Sequence, residues 1–254
     1  MSAWQVPAYR LRELRPRASR YCVIVPVINE GERIQRQLGK MAPLAASVDL
    51  IVADGGSSDG SLDAPGALRA VLTMTGPGKL GAQLRMGFAY ALEAGYQGVV
   101  LVDGNDKDDT AAVPAFVAAL EAGADFVQGS RYLTGGAGIN TPLHRHLAVK
   151  LLHAPLISLA ARRRYTDTTN GFRGYSAKFL RDQRVLPFRD VFDGYELHYY
   201  LAIRAARLGF AVREIPVRRE YPRSGPLPSK ISPVRGSLKV LRALFAAALG
   251  RFDP

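Results

Sequence analysis

Apolar residues recur along the chain in short runs rich in β-branched side chains, each followed by polar residues and a segment with helical spacing. Runs of this kind predict buried strands, and runs apolar on both faces are typical of a parallel sheet covered by helices. The predicted strands are residues 21–27, 48–53, 69–73, 99–102, 125–128 and 210–217. The predicted helices are residues 33–46, 80–94, 110–122, 144–164, 194–208 and 233–249. This alternation predicts an α/β fold with a doubly wound sheet.

The fourth predicted strand runs directly into an acidic stretch, DGNDKDD. Its oxygen-bearing side chains are Asp103, Asn105, Asp106, Asp108 and Asp109. In open α/β sheets the ligand crevice lies beyond the carboxyl ends of the strands, and carboxylate and amide oxygens suit Mg²⁺ or Mn²⁺. The stretch therefore predicts a metal site. The alternative is a solvated turn in which Asp108 or Asp109 caps the next helix.

Composition narrows the class of protein. The 254 residues suffice for one large α/β domain, alone or with an appendage, and 48% of them are hydrophobic. The single cysteine, Cys22, lies in a predicted strand, which excludes a disulfide framework and fits a reducing cytosol. The formal charge of +12 suggests an anionic partner: a nucleotide, a lipid phosphate, a phospholipid surface or a nucleic acid.

Two classes of segment are not expected. No apolar run is long enough for a membrane-spanning helix, and residues 1–20 lack the apolar run of a secretory signal. We interpret residues 1–20 as a basic arm before the first strand. Neither a GxGxxG turn after the first strand nor a GxxxxGK[ST] loop is present, so standard dinucleotide binding and a P-loop are not supported.

Seven motifs follow one another in order between residues 23 and 231. They are VIVPVINE (23–30), VADGGSSDGS (52–61), LGAQLRMGFAYALEAGY (80–96), VVLVDGND (99–106), QGSRY (128–132), TDTTNGFRGYS (166–176) and EIPV with SKI (214–231). On these motifs, residues 21–232 resemble the family 2 glycosyltransferases, and within them the polyprenyl-phosphate (dolichyl-phosphate mannose-type) sugar synthases. The resemblance implies a GT-A fold over 21–232: a Rossmann-like nucleotide-binding half joined to a C-terminal acceptor-binding part.

The resemblance also implies a nucleotide site. Its residues would be Pro26, Asn29, Glu30, Asp54, Asp103 and Gly104. Asp54 corresponds to the acid that binds the nucleobase, and a carboxylate accepts a hydrogen bond from a ring N–H of uracil or guanine. Capping of its own turn is the alternative role for Asp54.

The implied cofactor is a divalent cation, Mg²⁺ or Mn²⁺, which neutralises the diphosphate leaving group of the donor. Asp103 matches the first acid of the family's DxD motif, and Asn105 stands at the second. Lys107 replaces the glutamine of the longer motif. Because the second acid has lost its charge, we expect weaker metal binding than in the family's usual motif.

Four further residues match family positions that contact phosphate or the acceptor: Ser130, Arg131, Arg173 and Lys230. Arginine suits bidentate phosphate recognition. Ordinary salt bridges are the alternative role for the three basic residues.

The acceptor decides whether the reaction needs a base. A lipid phosphate is already anionic, whereas a sugar hydroxyl must lose a proton to a carboxylate. Asp193 and Glu196 are the candidates for that carboxylate, with helix capping as the alternative role of Asp193.

The resemblance implies an inverting glycosyltransferase with Asp103, Arg131, Arg173 and Asp193 as catalytic residues. It would transfer a sugar from a nucleotide-diphosphate donor to polyprenyl phosphate at the cytoplasmic face of the cell membrane. The alternative is transfer to a saccharide hydroxyl in cell-surface polysaccharide assembly. The amphipathic segment 233–254 would lie in the interface of an anionic membrane or pack on the protein's own core. A nucleic-acid-binding module is not favoured, because no recognisable nucleic-acid motif is present.

Overall fold

The computed structural model describes residues 4–63, 66–223 and 235–254. These ranges contain ten strands: β1 (Tyr9–Glu13), β2 (Tyr21–Val27), β3 (Asp49–Asp54), β4 (Ala70–Met74), β5 (Gly98–Leu101), β6 (Phe126–Ser130), β7 (Ala137–Ile139), β8 (Arg173–Ser176), β9 (Val212–Pro216) and β10 (Arg218–Glu220). They also contain eight α-helices: α1 (Glu32–Met41), α2 (Leu80–Glu93), α3 (Val113–Glu121), α4 (Leu143–Ala148), α5 (Ala154–Ala161), α6 (Ala177–Arg181), α7 (Glu196–Arg207) and α8 (Arg235–Ala248).

Eight strands form one mixed sheet in the order β1-β4-β3-β2-β5-β8-β6-β9. The strands β4, β3, β2 and β5 are mutually parallel, whereas β1 at the edge and β8 inside the sheet run antiparallel to their neighbours. The short strands β7 and β10 form a separate parallel pair. Helix α1 lies between β2 and β3, and α2 lies between β4 and β5, as expected for a doubly wound sheet, whereas no helix among the described residues lies between β3 and β4.

Helices cover both faces of the sheet, and alternate residues of a strand enter different cores. Ile24 of β2 packs in the core that includes side chains of α2, α5 and α7, whereas Val23 and Val25 pack in the core that includes side chains of α1 and α3. All seven residues of β2 are buried. A strand buried on both faces must be apolar throughout, which is why YCVIVPV was recognisable in the sequence.

The predicted strands and helices are present, and five further elements, β1, β7, β8, β10 and α6, are not among those that the sequence predicts. Part of the predicted basic arm, Tyr9–Glu13, forms β1 and pairs with β4 instead of standing apart from the sheet. Strand β8 begins at Arg173, between the predicted helices 144–164 and 194–208, where the sequence predicts no strand. The predicted helix 144–164 is divided: a π-helical turn, Val149–His153, separates α4 from α5. The proposed division at residues 20 and 232 stays a prediction.

The carboxyl ends of β2, β3 and β5 lie side by side and position the acidic stretch. Val27 pairs with Asp54, and Leu101 pairs with Ile24, so the loop after β5 passes close to the end of β2. Gly104 makes this approach possible, because a Cβ there would lie 2.7 Å from the carbonyl oxygen of Pro26.

Candidate active site

The acidic side chains after β5 do not form one open cluster. Asp106 lies against α1, where its Oδ1 accepts a hydrogen bond from Lys40 Nζ at 2.8 Å. The Asp109 carboxylate accepts the backbone N–H of Ala111 at 3.1 Å and caps the turn before α3. The capping role foreseen for Asp109 is therefore present. The carboxylates that remain in the interior are Asp103 and Asp108.

Arg219 of β10 connects these two carboxylates. One guanidinium nitrogen, Nη1, donates to Asp108 Oδ2 and lies 3.4 Å from Asn170 Oδ1. The other, Nη2, donates to Asp103 Oδ2 at 3.0 Å. The Arg219 side chain is 7% exposed and that of Asp108 is fully buried, whereas that of Asp103 is 24% exposed. A buried guanidinium thus links the interior to the partly open Asp103.

Sequence reasoning missed Arg219, although a signal was present. In the sequence VRREY, Val217 and Tyr221 stand two positions before and after Arg219, and in the structure these three side chains are buried while the two between them are exposed. A period of two is the signature of a strand, and it places Arg219 on the same inward face as two core residues. The three consecutive charged residues RRE obscure this period in the sequence, where the predicted strand ends at residue 217.

The charges around Asp103 shift its acidity. Burial acts to raise its pKa, but the positive charges of Arg219 and Lys107 outweigh burial, so the pKa of Asp103 lies below its usual value. Burial is also the main influence on Lys107, whose pKa it lowers to about 8 together with the charge of Arg219. His198, in the same region, is kept neutral because burial lowers its pKa to about 3. Asp103 is therefore a carboxylate surrounded by cationic groups.

The residues present fit a divalent cation whose remaining ligands come from the donor. Asn105 Oδ1 is buried and has no hydrogen-bond partner among the described residues, so the amide two positions after Asp103 has an oxygen that could serve as a ligand. Within residues 4–63, 66–223 and 235–254, no three His, Cys, Asp or Glu side chains are grouped to hold a metal. One carboxylate and one amide match a Mg²⁺-type ion that also takes phosphate oxygens and water.

Gly171 belongs to this site through its backbone. A Cβ at residue 171 would lie 2.3 Å from Asp103 Oδ1. The chain therefore needs glycine here to bring the turn before β8 against the carboxylate.

The loop after β2 and the loop after β3 are hydrogen-bonded to each other. Asn29, with φ of 47°, donates its backbone N–H to Ser57 Oγ, and its side-chain Oδ1 accepts the backbone N–H of Ser58 at 2.9 Å. The Glu30 carboxylate pairs with Arg33 at 2.9 Å. These contacts fix the shape of the predicted nucleoside loop.

Asp54 caps its own turn, as the alternative interpretation expected. Its Oδ1 accepts the backbone N–H of Ser57 at 2.9 Å, and the residue is buried. Asp54 also lines a cavity of about 430 Å³, together with Arg10 and Arg12 of β1. The size suits a nucleobase, and contact of Asp54 with the base stays a prediction.

Arg131 is held in a buried salt bridge. Its Nε donates to Asp167 Oδ2 at 2.7 Å, its Nη2 donates to Asp167 Oδ1 at 3.0 Å, and Nη2 also donates to Thr169 Oγ1 at 2.7 Å. The side chains of Arg131 and Asp167 are 3% and 0% exposed. This geometry corresponds to the salt-bridge alternative instead of an open phosphate contact.

The predicted phosphate contacts of Arg173 and Ser130 are likewise not what the geometry provides. The guanidinium of Arg173 is buried and donates to three backbone carbonyls, those of Asn170, His198 and Thr168. Ser130 is fully buried, and its hydroxyl lies 2.6 Å from that of Thr166. Both side chains are used to hold the turn before β8. Lys230, the fourth predicted contact, lies outside the described residues.

Asp193 is engaged at the start of α2. One carboxylate oxygen accepts the backbone N–H of Lys79 at 2.9 Å, and the other pairs with the Lys79 ammonium. Burial acts to raise the pKa of Asp193, but its bonds to Lys79 lower it below the usual value. A carboxylate held in this way is a weak base. Glu196, the other candidate, has a buried Oε2 with no partner among the residues that the structure covers.

Cations gather around Tyr221, next to Arg219. The Lys107 ammonium lies 5.1 Å from the centre of the Tyr221 ring, and the Arg145 guanidinium lies 5.7 Å from it. Burial acts to raise the pKa of Tyr221, but the charges of Arg219, Arg131 and Lys107 lower it overall. Because Arg145 belongs to α4, this cluster links the acidic stretch to the helices of the second half.

Comparison with known proteins places these features in a family. Residues 22–189 match the model of the Glycosyl transferase family 2. The chain is 31% identical over 207 residues to an undecaprenyl-phosphate mannosyltransferase of Micrococcus luteus, covering 78% of this chain and 82% of the relative. It is 30% identical over 218 residues to a polyprenol monophosphomannose synthase of Mycolicibacterium smegmatis, covering 80% of this chain and 78% of the relative.

Among solved structures, the fold is similar to that of glucosyl-3-phosphoglycerate synthase from Mycobacterium tuberculosis, crystallised with Mn²⁺, uridine diphosphate and phosphoglyceric acid. The TM-score is 0.65 at 20% identity, over 91% of this chain and 78% of the other. This likeness confirms the GT-A fold expected from the sequence. The chain belongs to glycosyl transferase family 2 and is a glycosyltransferase.

Proposed function

We propose that this glycosyltransferase inverts the anomeric centre of a sugar as it transfers the sugar from a nucleotide-diphosphate donor to a polyprenyl phosphate. The reaction would take place at the cytoplasmic face of the cell membrane. The two relatives at 31% and 30% identity, whose names specify undecaprenyl phosphate and polyprenol monophosphomannose, support this acceptor class. The observation that carries the proposal is an exposed leucine stripe on the second half of the molecule.

The leucine stripe consists of Leu143, Leu147, Leu151 and Leu159, with exposed Pro155 filling the same repeat. The side chains are 71%, 44%, 74% and 78% exposed. We take this repeat of exposed leucines as an interaction surface, whereas exposed leucines scattered singly would need no explanation.

The π-helical turn explains how the stripe stays on one side. In a regular α-helix, positions four apart are offset by about 40°, so a four-residue repeat drifts around the helix. The turn Val149–His153 between α4 and α5 has more residues per turn and reduces this drift. The backbone irregularity therefore aligns the leucines.

Cationic side chains accompany the stripe. Lys150 is exposed beside Leu151, and Arg162 and Arg164 are exposed at the end of α5. Apolar residues bordered by lysine and arginine fit an anionic membrane surface, with the leucines in the acyl boundary and the cations at the headgroups. We therefore take an anionic bilayer, and not a partner protein, as the occupant of this surface.

The C-terminal helix supplies a second apolar face. Helix α8 packs against α5 and α7 through residues such as Leu244, while Leu238, Phe245 and Leu249 stay exposed at a spacing of seven and four. One face of this helix therefore packs on the core, and we propose that the exposed face lies in the interface of the membrane. In the part of the chain that the structure describes, no helix is long and apolar enough to span a bilayer.

The proposed chemistry requires no general base. An oxygen of the acceptor phosphate forms a bond to the anomeric carbon as the bond from that carbon to the diphosphate breaks, and the diphosphate leaves with the electron pair. The acceptor phosphate is already an anion, so no proton has to be removed from this nucleophile. The pairing of Asp193 with Lys79 agrees with this, because the carboxylate is committed to the start of α2.

The residues of this chain would orient two anionic groups against each other. Asp103 and Asn105 would hold a divalent cation, which when bound neutralises charge on the leaving diphosphate. Lys107 and Arg145, gathered at Tyr221, would attract the acceptor phosphate toward the same place. Because α4 carries both Arg145 and the first leucines, the phosphate end of a membrane lipid would be brought to the cation cluster.

Purified protein tests the proposal. It would be incubated with Mn²⁺, vesicles containing undecaprenyl phosphate, and radiolabelled GDP-mannose or UDP-glucose in separate reactions. We expect label in the lipid extract with at least one donor, in a product that releases the sugar under mild acid. If neither donor labels the lipid, the other common nucleotide sugars would be tried, and absence of lipid-linked label with all of them would contradict the proposal. Label in an added saccharide would favour the hydroxyl acceptor.

A further inference from the structure

Contacts on several sides hold the Arg219 side chain, so its positive charge keeps one position in the site. The strand β10 that carries it pairs with β7, and its guanidinium contacts Asp108, Asn170 and Asp103. A buried arginine with three oxygen partners cannot move out to solvent without leaving a buried carboxylate unpaired. Its positive charge is therefore part of the site before any ligand binds.

The contact with Asp103 goes beyond what burial of Arg219 requires. Asp108 alone supplies the counter-charge that a buried guanidinium needs, and that carboxylate has no exposed surface. The second nitrogen nevertheless reaches Asp103, the carboxylate that stays 24% exposed and faces the candidate cation position. The positive charge of Arg219 therefore lies at the edge of the site.

A cation in this position has opposite effects on two ligands. It occupies one oxygen of Asp103 and repels a divalent ion, so it weakens metal binding. It also attracts a diphosphate. Both the repulsion of the metal ion and the attraction of the diphosphate are strong, because water is largely excluded from the site. The family's second acid is Asn105 in this chain, which removes a negative charge and acts in the same direction.

We propose that Arg219 is a positioning residue that serves as a built-in cation of the donor site, weakening divalent-ion binding at Asp103 while strengthening binding of the nucleotide diphosphate without metal. This inference rests on the proposed function, since it takes a nucleotide diphosphate as the donor's leaving group. It predicts that part of donor binding is independent of metal.

The decisive comparison uses Asp108→Asn as the background. In that background, removal of the arginine leaves no fully buried carboxylate without a counter-charge. The variants Asp108→Asn and Asp108→Asn/Arg219→Gln differ only at residue 219. Arg218→Gln in the same background is the matched control, because Arg218 is exposed on the neighbouring position of β10. Circular dichroism would verify that all three variants are folded.

Two affinities would be measured by titration calorimetry. One is Mn²⁺ binding to protein without nucleotide, and the other is binding of GDP and of UDP in EDTA. On loss of the Arg219 charge we expect Mn²⁺ to bind about tenfold more tightly and the nucleoside diphosphate about tenfold more weakly. Arg218→Gln should change both by less than about twofold, because an exposed charge is screened. Opposite signs distinguish a charge effect from structural damage, which would weaken both.

Wild-type protein gives a second, independent test. Its affinity for GDP or UDP in EDTA should lie within about tenfold of that in Mn²⁺. Loss of all binding in EDTA, or a fall of both affinities together in the double variant, would overturn the role of Arg219. If the wild type binds neither GDP nor UDP under any condition, the proposed function itself fails, and this inference fails with it.

Discussion

The leucine stripe gives the most specific prediction about how the enzyme reaches a lipid acceptor. The three most exposed leucines, Leu143, Leu151 and Leu159, would be replaced together by glutamine, which is a good helix former. The substitutions leave every charge in place, so they remove apolar contact without changing the electrostatic attraction of a +12 chain to anionic lipid. We expect binding to vesicles to fall sharply.

The magnitude follows from the exposed fractions. At 71%, 74% and 78% exposure, the three residues present the surface of about two whole leucine side chains. Burial of one such side chain contributes about 1.5–3 kcal/mol, so their insertion would contribute about 3–6 kcal/mol. Because 1.4 kcal/mol corresponds to a factor of ten, the partition coefficient should fall by roughly two to four powers of ten.

Sedimentation with vesicles of phosphatidylcholine and phosphatidylglycerol measures this change. Val191→Gln is the matched control, since Val191 is half exposed in the loop before α7 and lies outside the stripe. Urea unfolding should show that the triple variant keeps its stability, because exposed substitutions change it by about 0.5 kcal/mol each or less.

A partition coefficient unchanged within about threefold would refute the reasoning, because the calculation requires a far larger loss. An equal loss in Val191→Gln would show that any exposed apolar residue contributes, and that the repeated leucines have no special role. If the triple variant loses binding only to vesicles that lack phosphatidylglycerol, apolar contact matters only where charge attraction is absent.

Three further predictions follow from the site. Asp167→Asn should lower the free energy of unfolding by about 3–5 kcal/mol in urea titrations, since it leaves a buried guanidinium unpaired, and adding Arg131→Met should recover most of the loss. Asp193→Asn should lower kcat by far less than the roughly hundredfold loss expected on removal of a general base. Gly171→Ala should abolish measurable transfer, because its Cβ would meet a carboxylate oxygen of the acidic stretch at 2.3 Å, whereas Gly39→Ala, with open space at its Cβ, should leave kcat/KM unchanged.

Each of these predictions has a contrary outcome. A stable Asp167→Asn variant that cannot bind acceptor would return Arg131 to a phosphate-binding role. A loss of a hundredfold or more in kcat for Asp193→Asn, with donor binding intact, would favour a hydroxyl acceptor. Normal turnover by Gly171→Ala would show that the carboxylate next to it is not used in transfer.

The parts of the fold that the sequence revealed are those whose pattern is local. The strand Tyr21–Val27 is apolar on both faces, and Leu80–Glu93 has helical spacing, so each element is recognisable from its own residues without knowledge of the rest of the fold. Strand β1 was missed because its residues YRLRE are mostly exposed at the sheet edge. Strand β8 was missed because it begins with the charged Arg173, which tertiary contacts bury.

The same limit applies to the site. Motif order predicts a site at Asp103, and the structure brings the loops around it together because the strands that they follow end side by side. Motif order did not reveal which arginines are buried: Arg131 and Arg173 match family positions, yet their donors are taken up by Asp167 and by backbone carbonyls. Such pairings join residues far apart in the chain, as Arg219 and Asp103 are, and no local pattern specifies them.

The most direct test of the account compares two acceptors that differ only in the phosphate. Vesicles containing undecaprenyl phosphate or undecaprenol would be incubated with the same donor and enzyme, and the lipids analysed by mass spectrometry. The account predicts a glycosyl phosphodiester of undecaprenol from the first acceptor and no product from the second. Glycosylation of undecaprenol, or of a saccharide while undecaprenyl phosphate stays unmodified, would contradict it.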